Sequence, residues 1–193
     1  MIQLVFASAN ENKLKEIQSV LPQHIQLLGL KDVGILEEIP ETTGTLEGNA
    51  RQKADYVFAK TGLNCFSDDT GLEILSLNKA PGVDSAIYAG LPRSSQRNIE
   101  KVLFEMKNML ERAAQFRTVI CYRTGEGVFL FEGVCEGRIG REIRGEDGFG
   151  YDGIFYPTGY SRTFAEMNLK DKKMLSHRSK AFHQFIEYLQ TRQ

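Results

Sequence analysis

"IQLVFASANENKLKEI", residues 2–17, decides the fold class at the start of the chain. The apolar residues 2–7 predict a buried strand, and Leu14, Ile17 and Leu21 then follow at helical spacing. A strand that runs through a short polar turn into a helix leaves the first backbone amides of that helix unpaired. Because the helix dipole also favours negative charge at this end, the turn is a candidate anion site.

Three side chains of the turn suit a phosphate group. Ser8 and Asn10 can donate hydrogen bonds, and Lys13 adds a full positive charge. The Walker pattern of glycines followed by Lys and Ser or Thr is missing here. Because Ser and Asn also cap helices, and a surface lysine is commonly solvated, the turn by itself indicates either a phosphate site or an ordinary helix start.

The rest of the chain alternates strand and helix patterns, which predicts an α/β fold with a mixed central sheet and flanking helices. We expect one domain over residues 1–193. The further predicted elements are strands at 25–29, 116–123 and 127–135, helices from about Leu46, at 95–110 and at 176–190, and "LNCFSDDTGLEIL" (63–75) as strand, acidic turn and strand.

Composition narrows the classes of partner. The 24 Lys and Arg residues balance 25 Asp and Glu residues, so the basic excess typical of proteins that bind a nucleic-acid polymer is missing. The sequence has no apolar stretch long enough to span a membrane, and its N-terminus predicts a strand, not a secretory signal. Cys65, Cys121 and Cys135 lie far apart inside apolar runs, which favours buried free thiols and a cytoplasmic location.

The acidic segment Ser67–Thr70 follows an apolar strand, where ligands of open α/β sheets often bind. It contains Asp68 and Asp69, and Glu41 in an earlier loop can supply a third carboxylate. Mg²⁺ prefers carboxylate and phosphate oxygens. Lys53 and Asn49 lie one helical turn apart, so both can point at one place. An Asp-rich turn that caps backbone amides remains the alternative.

Two later segments carry further candidates. In "GFGYDGIFYP" (148–157), Phe149 or Tyr151 can stack on a base and Asp152 can accept from a purine N–H. In "KKMLSHRSKAF" (172–182), Ser176 suits a helix N-cap and places His177 and Arg178 in the first turn, where an anionic or polar ligand would relieve the unfavourable dipole. Glycine-rich hairpins and surface basic clusters are the alternative interpretations.

Taken together, Lys13, Lys53 and Lys172, the carboxylates, the aromatic platform and the His/Arg pair indicate a nucleoside triphosphate site. Because no nucleophilic Ser or Cys with a partner base stands out, we expect the attacking group to be water that a carboxylate and a metal ion activate.

The ordered motifs "SANENKLKEI", "ETTGTLEGNARQKA", "FSDDTGLEI", "APGVDSAIYAG", "GFGYDGIFYP", "TFAEM" and "KKMLSHRSKAF" resemble the inosine triphosphate pyrophosphatase family over nearly the whole chain. This family is also called the noncanonical purine NTP pyrophosphatases or XTP/dITP diphosphatases. The resemblance implies two lobes around an active-site cleft, a homodimer, and Mg²⁺-dependent hydrolysis of ITP, dITP and XTP to monophosphate and pyrophosphate, with Mn²⁺ as a substitute ion. It also implies a role in clearing deaminated purines.

The resemblance also assigns roles by position. The family's phosphate-binding residues correspond to Ser8, Asn10, Lys13 and Lys53. Its metal-binding acids correspond to Glu41 and Asp69, and its proposed proton acceptor is also Asp69, which Asp68 and Thr70 flank. Its base pocket corresponds to Phe149, Tyr151, Asp152, Lys172, His177 and Arg178. Two positions depart from the family pattern. Gly153 replaces a usual Pro, which loosens the loop, and Ile87 replaces a frequent basic residue.

The alternatives are a pyrophosphatase of another nucleotide specificity and a nucleotide-binding regulator with a decayed site. A panel of nucleotides separates the first from the resemblance, and tight binding of ITP without turnover would indicate the second.

Overall fold

The structure is a computed structural model, and it describes residues 2–9, 14, 17–18 and 21–191. Within these residues the strands form one seven-stranded sheet in the order β2-β1-β3-β5-β6-β7, with β4 paired to β3. The strands are β1 (Ile2–Phe6), β2 (Ile25–Leu28), β3 (Cys65–Ile74), β4 (Pro81–Gly82), β5 (Ala113–Arg123), β6 (Val128–Ile139) and β7 (Phe155–Pro157).

The sheet is mixed, as the sequence predicts. Strand β1 runs parallel to both β2 and β3, with Val5 opposite Cys65. In contrast, β4 runs antiparallel to β3, and β7 runs antiparallel to β6. The prediction of an α/β fold with a mixed central sheet is therefore confirmed.

The helices are α1 (Leu46–Thr61), α2 (Ser95–Glu105), α3 (Leu169–Leu175) and α4 (His177–Thr191), with short 3-10 turns at Lys31–Val33, Leu75–Leu77, Asp152–Ile154 and Phe164–Glu166. Leu14, Ile17 and Gln18 have helical backbone, in agreement with the predicted first helix. No helix among the described residues combines the length and apolar character that crossing a membrane requires.

The start and end of α1 follow local rules. The Thr45 side chain accepts a hydrogen bond from the Gly48 amide, which caps the first turn. At the other end, Gly62 adopts a φ of 67° and its amide donates to the Phe58 carbonyl. These signals confirm the predicted start at Leu46.

The predicted acidic turn at residues 67–70 is wrong, because β3 is continuous from Cys65 to Ile74. Strand β5 lies beside this segment, with the Thr118 hydroxyl 2.7 Å from that of Thr70, while β1 and β4 pair with the residues of β3 before and after it. Pairing with these strands overrides the local preference for a turn. Helix α2 ends at Glu105, five residues before the predicted end at residue 110. Just after this end, the Arg112 guanidinium donates to the Met106 carbonyl at 2.8 Å, so that carbonyl has a partner from outside the helix.

The chain divides into two compact units. Unit 1 comprises Met1–Asp69, Val119–Glu132 and Ala181–Gln193, and unit 2 comprises Thr70–Thr118 and Gly133–Lys180. The core of unit 1 contains a tight aromatic group: the Phe66 ring stacks on Phe6 at 4.8 Å and contacts Phe185 at 4.9 Å between ring centroids. Its members are Leu4, Phe6, Ile17, Leu21, Ile25, Leu27, Phe66, Ile120, Tyr122, Ala181, Phe182 and Phe185.

Unit 2 has its own core. The Phe116 ring of β5 packs against Phe155 at 4.6 Å and against Phe164 at 6.0 Å, and the buried side chains of α2 close this group. Each unit therefore buries a separate apolar cluster that holds its functional side chains in place.

Candidate functional site

Unit 1 gathers a lysine and two carboxylates at one point. The ammonium Nζ of Lys53 donates to Glu41 Oε1 at 2.5 Å and to the backbone carbonyl of Asp68 at 2.8 Å. It also lies 3.7 Å from Asp69 Oδ1. Only 11% of the Lys53 side chain is exposed, so the surrounding oxygens compensate for most of its lost hydration. We call Glu41, Lys53 and Asp69 the carboxylate–lysine group.

Close packing of α1 on β3 brings Lys53 to this point. Ala50 and Ala54 are fully buried on the helix face that meets the strand. The Ser67 hydroxyl donates to the Ala50 carbonyl, and the Cys65 thiol donates to the Ala54 carbonyl at 3.1 Å. Because these bonds hold strand and helix together on either side of Lys53, its side chain reaches the oxygens of Asp68 and Asp69.

The continuous strand gives the two aspartates different environments. Successive side chains of a strand point to opposite faces. Asp68 is 3% exposed and meets Lys53 through its carbonyl, whereas the carboxylate of the less buried Asp69 faces the Lys53 ammonium. Asp69 is therefore the member of the pair whose charge is coupled to Lys53.

Glu41 and Asp69 can supply two of the oxygen ligands that a divalent cation needs. Among the described residues, no three His, Cys, Asp or Glu side chains cluster closely enough to hold a metal ion by themselves. The Lys53 ammonium already stands as a cation between Glu41 and Asp69. Carboxylates of this number suit Mg²⁺, which commonly takes one or two protein carboxylates and completes its shell with phosphate oxygens and water.

The opening turn is described only in part. Ser8 follows the end of β1, and the Ala7 amide donates to the Phe66 carbonyl at 2.7 Å, so the turn begins beside the segment of β3 that leads to Asp68. The predicted phosphate ligands Asn10 and Lys13 lie outside the described residues. Their roles stay predictions.

Thr70 belongs to unit 2 and pairs across the sheet. Its hydroxyl lies 2.7 Å from the hydroxyl of Thr118 on β5. A second contact joins the same two strands, because Gln115 Nε2 donates to Glu73 Oε2 at 2.6 Å. The two pairs, 70 with 118 and 73 with 115, indicate that β3 and β5 run antiparallel. Thr70 is thus held by its neighbour strand directly after the carboxylate of Asp69.

Unit 2 brings two of the predicted base-binding side chains, Phe149 and Lys172, to Asp152. Its Oδ2 accepts from the Phe149 amide at 2.8 Å and from Lys172 Nζ at 2.6 Å. The Lys172 ammonium lies 4.9 Å from the centroid of the Phe149 ring and 5.6 Å from that of Phe164. We call Phe149, Asp152 and Lys172 the aromatic–ion-pair group.

Glycine permits this arrangement at one position. Gly148 has a φ of 89°, and a Cβ atom there would lie 2.4 Å from Asp152 Oδ2. Only glycine combines that backbone conformation with so close an approach. The glycine-rich sequence therefore serves to bring the Phe149 amide onto the Asp152 carboxylate.

The structure separates the two aromatic candidates for base stacking. Phe149 is 71% exposed, so its ring is accessible to a flat ligand. Tyr151 is 4% exposed, and its hydroxyl donates to the Ser85 carbonyl at 2.8 Å. Burial raises the pKa of Tyr151 well above its usual range. Tyr151 thus braces the loop that contains Ser85, and Phe149 is the ring suited to stacking.

His177 and Arg178 begin α4, as predicted. Ser176 caps the helix, because its Oγ accepts from the Ser179 amide at 3.1 Å. The His177 ring stacks on Phe116, with centroids 4.9 Å apart and planes 15° apart. Arg178 follows in the same turn, partly buried. Both side chains lie at the positive end of the helix dipole, where a ligand with acceptor oxygens would be stabilised.

The sequence did not identify several supporting residues. Phe116 orients His177, Thr118 holds Thr70, and Phe164 packs beside Lys172. Strand alternation in β5 predicts which faces these residues occupy, but it does not say what they touch. Asn49, expected to point at a ligand beside Lys53, instead accepts from Thr43 of the preceding loop at 3.0 Å.

The two positions that depart from the motif pattern have defined surroundings. Gly153 does not require a left-handed backbone, and a Cβ there would lie 3.0 Å from Ile143 Cγ2. Its carbonyl accepts from the Arg144 amide at 2.8 Å. Ile87 is 38% exposed in the loop after β4. Close packing and this hydrogen bond therefore restrict the backbone of Gly153, although glycine by itself allows a wide range of backbone angles.

Comparison with known proteins gives consistent matches over the full length. The model of the Ham1 family matches residues 4–188. A dITP/XTP pyrophosphatase of Flavobacterium psychrophilum is 50% identical over 187 residues, which cover 97% of this chain and 98% of that protein. One from Christiangramia forsetii is 50% identical over 188 residues, covering 97% and 99%. The structure of the Staphylococcus aureus Ham1 protein has a TM-score of 0.95 at 33% identity, covering 99% and 100% of the two chains.

Proposed function

The chain belongs to the Ham1 family, and on that premise we propose that it hydrolyses dITP, XTP and ITP to the nucleoside monophosphate and pyrophosphate. Such an activity removes deaminated purines from the nucleotide pool. The observation that carries the proposal is the carboxylate–lysine group, in which Lys53 Nζ lies 2.5 Å from Glu41 and 3.7 Å from Asp69.

Lys53 binds the triphosphate in this proposal. Its ammonium is fixed by the Asp68 carbonyl and is mostly shielded from water, so its charge acts strongly on a phosphate oxygen brought beside it. Lys13 and the polar side chains of Ser8 and Asn10 add the contacts that the sequence motif implies. Most of the catalytic effect comes from placement and charge neutralisation.

Asp69 acts as the proton acceptor. A water oxygen attacks the α-phosphorus, the bond from that phosphorus to the bridging oxygen breaks, and pyrophosphate leaves with the bond's electron pair. The proton of the water passes to the Asp69 carboxylate. Asp69 suits this role because its charge is already oriented by Lys53, and Asp68 and Thr70 fix the strand on either side of it.

Glu41 and Asp69 are the residues that would hold Mg²⁺, or Mn²⁺ in its place. Such an ion supplies Lewis acidity and neutralises phosphate charge when it is bound. These two residues suit the ion because they offer carboxylate oxygens, and both carboxylates already lie beside one cation, the Lys53 ammonium.

The aromatic–ion-pair group binds the purine. The exposed Phe149 ring offers a stacking surface, and the Asp152 carboxylate accepts from a protonated ring nitrogen. His177 and Arg178 donate to the 6-oxo group, which inosine, xanthine and guanine carry and adenine does not. Because guanine shares this group, the enzyme must refuse GTP at its 2-amino group. Tyr151 contributes as the brace of the pocket. An adenine amino group facing these donors would cost about 1–3 kcal/mol.

Three further predictions belong to this proposal: the motif resemblance implies the first, the buried cysteines the second and the chain length the third. The protein acts as a homodimer, it is cytoplasmic, and residues 1–193 form one functional domain. The three free, buried cysteines agree with a reducing compartment. Sedimentation at several protein concentrations tests the dimer.

A pyrophosphate-release assay tests the function. ITP, dITP, XTP, GTP and ATP are compared at one concentration, with Mg²⁺ and with excess chelator. We expect Mg²⁺-dependent release from the first three and much slower release from GTP and ATP. Equal rates for all five, or orthophosphate as the product, would overturn the proposal, and tight ITP binding without turnover would indicate a nucleotide-binding regulator.

A further inference from the structure

The loop that precedes α1 runs along one face of that helix. Glu37 contacts Tyr56 and Lys60, Glu41 contacts Lys53, and the residues after Glu41 contact positions nearer the start of the helix. The helix residues involved are Gly48, Asn49, Gln52, Lys53, Tyr56 and Lys60, which recur at the spacing of one helical face. The loop is thus attached to α1 at several points, and Glu41 lies between them.

The first attachment next to Glu41 is a reciprocal pair. The backbone amide of Thr42 donates to Gln52 Oε1 at 2.8 Å, and Gln52 Nε2 donates to the Thr42 hydroxyl at 3.0 Å. One glutamine amide therefore bonds both a main-chain and a side-chain group of the residue that follows Glu41. Such a pair fixes the backbone position as well as the side chain.

The second attachment is at Asn49, which is 5% exposed. Its Oδ1 accepts from the Thr43 amide at 3.0 Å and from the Thr43 hydroxyl at 2.9 Å. Because a buried amide that loses its partners is costly, this contact resists separation of the loop from the helix. We call the contacts of Thr42 and Thr43 with Gln52 and Asn49 the loop latch.

The absence of a side chain at Gly48 makes room for the latch. A Cβ atom there would lie 2.1 Å from Thr43 Oγ1 and 2.8 Å from Thr45 Oγ1. Gly48 is helical, so the reason for glycine is the close approach of the loop. A larger residue would force Thr43 away from the helix and, with it, the residues next to Glu41.

We propose that Gln52 and Asn49 are positioning residues that set the metal affinity of the enzyme by holding Glu41 against α1. The inference rests on the proposed function, in which Glu41 is a metal-binding acid. Gln52 and Asn49 bond Thr42 and Thr43, the two residues that follow Glu41, and they act through these residues. The Glu41 side chain is 45% exposed, so its position depends on a fixed backbone more than on packing.

The test compares Gln52→Met with Gln96→Met. Methionine keeps the length of glutamine and removes its hydrogen bonds. Gln96 is a matched control, because it lies early in α2 and its Nε2 donates to the exposed Glu100 at 2.7 Å. Two readouts are used: hydrogen exchange of the Thr42 amide, and Mn²⁺ affinity, measured from the electron paramagnetic resonance signal of free Mn²⁺ with α,β-imido-ITP present.

We expect Gln52→Met to speed exchange at Thr42 and to weaken Mn²⁺ binding about tenfold, the lower end for residues that orient metal ligands. Saturating Mn²⁺ should restore most of kcat, because the variant loses metal affinity and keeps the catalytic groups. Gln96→Met should match the unmodified protein in both readouts. Wild-type Mn²⁺ affinity in a folded Gln52→Met variant with fast Thr42 exchange would overturn the inference.

A double-mutant cycle gives an independent check. Thr42→Val removes the hydroxyl that Gln52 bonds, so its effect on Mn²⁺ affinity should largely vanish when Gln52 is already methionine. Gly48→Ala should also weaken Mn²⁺ binding, because its Cβ atom would push Thr43 away from the helix. Full additivity in the cycle would contradict the latch. Because Mn²⁺ binding needs no turnover, an absence of pyrophosphate release would refute the proposed function and leave this test intact.

Discussion

The carboxylate–lysine group of unit 1 and the aromatic–ion-pair group of unit 2 each place a lysine on a carboxylate, yet their surroundings differ. Lys53 faces two carboxylates, one of them 45% exposed, and no ring contacts its ammonium among the interactions of the described residues. Lys172 has one nearly buried partner, Asp152, and lies near two rings.

The two lysine–carboxylate groups are suited to different ligands. In unit 1 the carboxylates outnumber the ammonium, so the group has an excess of negative charge that a further cation would balance. In unit 2 the charges match, and the exposed ring of Phe149 stands above a neutral pair. The first group suits a metal–polyphosphate, and the second suits a flat base with hydrogen-bonding edges.

The largest effect should come from Asp69→Asn. The substitution keeps the shape of the side chain and removes the charge that faces Lys53, so we expect pyrophosphate release to fall about 10²–10⁴-fold, the range for loss of a general base. The melting temperature and base affinity, which depends on unit 2, should change little. Near-normal turnover of ITP by the folded variant would remove Asp69 from the mechanism.

Asp152→Asn should act on the other group. It leaves Lys172 and the Phe149 amide with a weaker acceptor, so we expect the KM for ITP to rise about tenfold to a hundredfold, as for loss of a charge-assisted hydrogen bond of ~1.5–3 kcal/mol. A kcat that falls as steeply as in Asp69→Asn, with KM unchanged, would contradict the division of labour between the groups. Steady-state kinetics on ITP and GTP measures both parameters.

Phe149→Ala tests the stacking surface alone. The ring is 71% exposed, so its removal should leave the melting temperature nearly unchanged. The loss of base stacking should weaken nucleotide binding by about 1–3 kcal/mol. Isothermal titration with α,β-imido-ITP measures the difference. Phe104→Ala, at a residue 68% exposed on α2, is the control for removing an exposed phenylalanine.

The smallest effect concerns the thiols, which differ between the units. Burial raises the pKa of Cys65 and Cys121 in unit 1 to about 12, and that of Cys135 in unit 2 to about 11, from an ordinary 9.0. The folded state holds these protons more tightly than the unfolded chain. The stability that the neutral thiols contribute is therefore complete below about pH 9 and declines as the pH rises from there towards the folded pKa values.

The expected decline is about 1.4 kcal/mol per thiol for each pH unit above the unfolded pKa. Chemical denaturation at pH 8, 9 and 10 measures it, and a Cys65→Ala/Cys121→Ala variant should show a shallower pH dependence than the unmodified protein. Alkylation by iodoacetamide under native conditions should be slow at all three thiols and faster at Cys135. Rapid labelling of Cys65 in the folded protein would contradict its burial.

Local rules predicted much of the fold. The start of α1 at Leu46, the cap at Ser176 and the buried free cysteines are confirmed, because each depends on a few neighbouring residues or on an apolar run. The predicted acidic turn at Ser67–Thr70 is wrong, because it was inferred from local residue types alone. Turn propensity is a local preference, and pairing with strands distant in the chain overrides it.

The sequence predicted which residues belong to the candidate site better than it predicted what each of them contacts. Sequence motifs selected Lys53, Glu41 and Asp69, and the structure brings these three together. They did not separate Tyr151, a buried brace, from the exposed Phe149, because exposure depends on what packs from elsewhere in the chain.

Short segments of the sequence thus predicted most of the strands and helices, though not α3, and they predicted the family, since apolar spacing, caps and motifs are properties of such segments. No motif predicts that Asn49 bonds Thr43, or that the Asp69 side chain, in preference to that of Asp68, meets Lys53. Those outcomes depend on distances of a few ångströms between segments far apart in the chain, and packing sets such distances.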